Sequence, residues 1–121
     1  MQNTCSLNNN FALKSELSFA NSWTVPVTTS YRALHVIRNG NQVILSGAVR
    51  CGTISNWTTI TTLPAGFRPK SPTQYRAFVM FGNTVFFNLL IGFDGIVQIY
   101  NASGLTANTT EVFISVVFSV D

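Results

Sequence analysis

The chain has 121 residues, of which 46% are hydrophobic and only 9% charged, with a formal net charge of +3. An ordinary soluble domain carries about 25% charged residues, so here Asn, Thr and Ser must keep the surface wet, and part of the apolar surface is expected to be buried between subunits. The basic residues are scattered along the chain rather than gathered in a stripe, which argues against a nucleic-acid partner.

The length fits one domain with a core of its own. The start, "MQNTCSLNNN", has neither a basic n-region nor an apolar h-region, so no signal peptide is read there. The most apolar window, Ala77 to Phe93, is interrupted by Gly82, Asn83 and Asn88. It falls short of the ~20 apolar residues of a membrane span, and membrane insertion is not expected. Cys5 and Cys51 do not make a disulfide framework, and two buried free thiols are the simpler reading. One histidine and two cysteines leave no zinc site, so no metal or cofactor is expected.

In chain order, Phe11, Leu13 and Leu17 come first. Leu13 and Leu17 are four apart and share one face of a helical turn that Asn10 can cap. Residues 1–22 are therefore read as a short helical or extended segment, and 23–121 as a β-sandwich domain. From Trp23 the period changes to two. "WTVPV" reads as an edge strand because of Pro26. "YRALHVIR" and "NQVILSGAVR" flank Asn39-Gly40, a strong hairpin signal. "CGTISNWTTITTL" holds a turn near Ser55-Asn56 and a strand from Trp57 to Leu63. "TTLPAGFRPKSP" follows. Pro64, Gly66 and Pro69 do not fit a regular central strand, so this is a corner, with Phe67 as an anchor and a crossing between sheets as one option. "QYRAFVMF" and "TVFFNLLIGF" form a second hairpin. Asp94-Gly95 signals a type I′ turn into "IVQIY". The last strand, "VFISVVFSVD", has Phe113 and Val117 on one face and Val112, Ile114, Val116, Phe118 and Val120 on the other. A strand apolar on both faces is expected to be covered on both. Short strands at regular spacing predict an all-β antiparallel sandwich or jelly roll.

The chemistry-bearing residues do not form a catalytic set. Glu16, Asp94, Glu111 and Asp121 each have a local explanation, His35 is a strand histidine sharing a face with Ala33 and Ile37, and no nucleophile motif or phosphate loop is present. Catalysis is not expected. The Asn-x-Ser/Thr triplets at Asn56, Asn101 and Asn108 would be glycosylation acceptors only in a secreted eukaryotic chain. Binding is easier to support. Trp57, Tyr75, Tyr100 and Tyr31 can offer flat apolar faces, with Arg32, Arg68, Arg76, Asp94 and Asn101 as nearby polar groups, and flat rings beside polar groups suit sugars. The candidate binding set is Trp57, Tyr75, Arg76, Asp94, Tyr100 and Asn101. Trp57 follows a polar turn and opens a strand, so it is expected to be half-exposed.

The pattern W-x-x-I-x-x-L-P-A-G-F-R-P, Trp57 to Pro69, with "FDGIVQIY" downstream and "NNNFALKSELS" upstream, resembles the C-terminal head domains of bacteriophage tail-fibre and baseplate receptor-binding proteins. The resemblance runs from Phe11 to about Tyr100. It implies a homotrimer of β-sandwich heads at a virion fibre tip, binding a host-surface receptor, often a saccharide; adenovirus-type fibre heads share that organisation. The receptor site is not part of the shared motif, so the contact residues above come from their chemistry alone. The alternative expectation is a virion assembly module of tail or baseplate that binds no receptor.

Overall fold

The computed structural model describes residues 12–28, 30–70, 74–81, 85–103 and 111–120. Its elements are β1 (Ala12–Glu16), β2 (His35–Asn39), β3 (Gln42–Arg50), β4 (Thr58–Thr62), β5 (Tyr75–Phe81), β6 (Val85–Ile91), β7 (Ile96–Ser103) and β8 (Glu111–Ser119). Among the described residues there is no helix. Two four-stranded antiparallel sheets, ordered β1-β2-β3-β8 and β4-β7-β6-β5, form a β-sandwich.

One apolar layer lies between them. Val36, Val43, Leu45, Val49, Val112 and Ile114 come from the first sheet, and Ile60, Phe87, Leu89, Ile91, Val97 and Ile99 from the second; all are buried. The alternation of the sequence sets this face. In β7, Val97 and Ile99 point inward, so Gln98 and Tyr100 point outward. Trp23 is also buried, and its indole N–H donates to Thr53 O at 3.0 Å.

Of the helical and extended readings of the N-terminal segment, the described residues take the extended one. Ala12–Glu16 is extended and pairs with β2 in the register Ala12↔Asn39 to Glu16↔His35. A spacing of four fits a period of two as well as a helical turn, and an adjacent open sheet edge offers backbone partners that a lone turn lacks. "WTVPV" is not a regular strand: Thr24 makes an isolated bridge to Arg50, and the chain past it is irregular.

The first hairpin forms as expected, with Gly40 at φ +64. β3 then pairs with β8 without a slip from Gln42↔Ser119 to Arg50↔Glu111. The chain segment before β2 crosses β3 closely at Gly47. A Cβ there would lie 2.6 Å from Ala33 O, and the residue sits at φ +127.

The Pro-Gly corner is built as read. Phe67 is buried, Gly66 takes φ +95 and Phe67 N–H closes on Pro64 O at 3.1 Å. It does not cross between sheets: β4 and β5, which it joins, are the two edges of the same sheet. Arg38 of the first sheet donates to Gly66 O at 2.7 Å and ties that end of the sandwich shut.

The β6–β7 turn differs in type from the sequence expectation. Gly95 N–H bonds Gly92 O at 2.9 Å, and within that turn only Gly95 has positive φ, +88. Phe93-Asp94 is thus the centre of a type I-like turn followed by a left-handed glycine, where a type I′ turn would need positive φ at both central residues. The free thiol of Cys51 is buried, and burial pushes it up to about 11; Cys5 lies outside the described residues.

Candidate functional site

The outer face of the second sheet carries a recess of about 310 Å³ lined by Trp57, Gln74, Arg76, Leu90, Asp94 and Gln98, among others. The register explains the set. Gln98 lies beside Leu90, Leu90 beside Arg76, and Thr59 beside Gln98, so one cross-strand row spans the sheet. Leu90 points away from the inter-sheet core yet is only 6% exposed. It forms an apolar floor under polar neighbours.

Trp57 makes one wall. It is 52% exposed, and its ring centroid lies 4.6 Å from that of Tyr100 at a 37° tilt. Its backbone is in the left-handed region at φ 67, uncommon for a bulky residue. The turn that holds it closes with Thr58 N–H on Ser55 O at 3.3 Å and Ser55 Oγ on Thr58 Oγ1 at 2.8 Å. Trp57 N–H donates to Ile99 O at 2.8 Å, and Gln98 Nε2 donates to Trp57 O at 3.2 Å.

Asp94 stands at the opposite end on the β6–β7 turn, where its Oδ1 accepts from Ile96 N–H at 3.1 Å. The Pro-Gly corner braces this turn. Leu63 N–H donates to Gly95 O at 2.8 Å, and Arg68 Nε donates to Leu63 O at 2.8 Å. Arg76 is exposed in the recess. A flat apolar wall, an apolar floor, a guanidinium and a carboxylate match the needs of a polyhydroxylated ring, which has one CH-rich face and a rim of hydroxyls.

The sequence-derived set divides. Trp57, Arg76 and Asp94 line this recess, and Tyr100 backs Trp57. Tyr75 belongs elsewhere: it follows the inward phase of β5, lies 5.4 Å from Phe118 and packs on the core edge. Adjacent strand residues point to opposite faces, so Tyr75 and Arg76 do not share this site. Asn101 lies in β7, but its side chain is outside the described residues. Tyr31 packs edge-on against Phe113 at 4.7 Å on the other sheet, Arg32 pairs with Glu16 at 3.0 Å, and Arg68 is engaged by the corner. Gln74, Leu90 and Gln98 escaped sequence reasoning, although the outward phase of "IVQIY" marks Gln98 beside Tyr100.

Two further titratable groups make local contacts. His35 is buried and its Nδ1 bonds Ala33 O at 2.9 Å. The Glu111 carboxylate accepts from the Val27 and Thr28 N–H groups and from Thr28 Oγ1, gripping the loop before β2. Desolvation is the largest single influence and raises its pKa, but the hydrogen bonds from Val27 and Thr28 and the charge of Arg50 together outweigh it and hold the carboxyl below the usual carboxylate range. Among the described residues, no group of three His, Cys, Asp or Glu gathers to hold a metal ion.

The outer face of the first sheet is apolar in a different way. Ile37, Ile44 and Val117 form a cross-strand row. Val117 is 53% exposed and Phe113 45%, with Tyr31 against Phe113. Compared with protein-family models, curated proteins and solved structures, the chain matches none of them.

Proposed function

We propose that this domain is a non-catalytic attachment head of a virion fibre or tail spike, and that it recognises a host-surface saccharide through the recess at Trp57. The observation that carries the reading is the half-exposed Trp57 ring, stacked near Tyr100 and set beside Arg76 and Asp94. Sugar rings stack their CH face on such an indole while charged side chains take the hydroxyls. The likeness of the Trp57–Pro69 corner to fibre-head sequences supplies the viral part of the reading.

The second part is a homotrimer. It is supported by the low charge of the chain and by the exposed apolar face around Phe113 and Val117, which water would disfavour on a monomer. Several weak sites on one tip would give avidity beyond any one of them.

That same apolar face favours a second reading, a tail or baseplate assembly module without a receptor. Adsorption assays separate the two. An attachment head, added in excess, blocks infection of its host by the parent virus and binds host envelope. An assembly module does neither.

A further inference from the structure

The backbone of Trp57 is where an uncommon conformation and the candidate site coincide. In the turn closed by Thr58 N–H on Ser55 O, Trp57 is the third residue, at φ 67. Glycine is the usual occupant of a left-handed position there, and strain of this kind persists only where its surroundings over-determine it. Three contacts do so: Trp57 N–H on Ile99 O, Gln98 Nε2 on Trp57 O, and the indole against Tyr100. Two of these come from side chains on the outward phase of β7. The rigid sheet therefore grips both the peptide and the ring of an otherwise loop-borne residue.

We infer that Gln98 is a positioning residue: its amide N–H fixes the Trp57 peptide so that the indole is held, before any ligand arrives, as a rigid wall of the recess. The assignment rests on the saccharide-site reading only for its consequence in binding. Ring placement itself is a property of the free protein. A wall already ordered avoids the entropy of freezing an aromatic side chain on binding.

The test uses 5-fluorotryptophan-labelled protein, with Trp57 and Trp23 distinguished by a Trp57→Phe sample. Gln98→Glu keeps size and removes the N–H donor; Gln98→Ala removes both. Each is expected to broaden or shift the Trp57 fluorine resonance and leave that of buried Trp23 in place. Gln98→Lys, which restores a donor of similar reach, is expected to recover the sharp line. Affinity is read on an array of methyl glycosides and cell-wall oligosaccharides. Gln98→Glu and Gln98→Ala are expected to lose about threefold to tenfold with Trp57 still present. An unchanged Trp57 resonance in both variants overturns the inference whatever the ligand. If the resonance responds as expected while Trp57→Ala binds every glycan as the wild type does, the positioning stands and the saccharide-site reading fails.

Discussion

Trp57 and Tyr100 sit with ring centroids 4.6 Å apart, one on a turn in the left-handed region and the other on the outward face of β7. That geometry reverses the usual ranking of small substitutions. Trp57→Ala and Trp57→Gly both lose the ring, but only glycine escapes the left-handed penalty of about 1–2 kcal/mol. Trp57→Gly is expected to be more stable than Trp57→Ala by about 1 kcal/mol in urea unfolding, the reverse of the order in an ordinary strand. Equal or opposite stabilities would show that the turn relaxes once the indole is gone.

Gly47 is predicted to be among the least replaceable positions. An added methyl would meet Ala33 O at 2.6 Å and Leu34 Cα at 2.8 Å, both backbone atoms, at φ +127. Gly47→Ala is expected to cost about 2–4 kcal/mol, read from the denaturation midpoint. A change below about 0.5 kcal/mol would mean that the crossing of the pre-β2 segment over β3 is looser than described.

Glu111 gives a pH dependence with a definite sign. Its folded pKa lies below the ordinary value, so its contribution is present above the unfolded pKa and is lost as pH falls through the folded one. The amide protons of Val27 and Thr28 should shift together with a midpoint below the normal glutamate range, and lose protection relative to their intrinsic exchange rates once past it. Glu111→Gln should abolish that titration. A midpoint at or above the ordinary value would contradict the clamp.

On the first sheet, Phe113→Asp and Val117→Asp place charges on half-exposed outward positions that the core does not need. Light scattering is expected to show the wild type as a trimer and the double variant as a folded monomer. A wild type that stays monomeric at micromolar concentration would refute the trimer.

The strands with strong turn chemistry were legible from sequence. Asn39-Gly40 and the alternation around it placed the first hairpin, and Pro64, Gly66 and Phe67 placed the corner. Two elements were not. Leu13 and Leu17 are four positions apart, an interval shared by helix and strand, and only the open edge of β2 decides between them. Trp23 lies in a stretch that alternates like a strand, yet its indole is buried with its N–H on Thr53 O, a long-range contact that local pattern cannot reveal. The site was half legible for a similar reason. Exposure of Trp57 followed from its place after a polar turn. Tyr75 and Arg76 are neighbours in one strand and so point to opposite faces, which puts Arg76 in the recess and Tyr75 beside Phe118. Gln98 and Leu90 matter only once the order β4-β7-β6-β5 brings their row together.

The most direct test of the central claim is saccharide affinity of the wild type against Trp57→Ala on the glycan array, with oligomeric state and circular dichroism checked in parallel. The wild type is expected to bind and Trp57→Ala to bind about tenfold more weakly, corresponding to roughly 1.4 kcal/mol of lost stacking, with fold and assembly unchanged. Undiminished binding by Trp57→Ala, or no saccharide binding by the wild type, would contradict that claim.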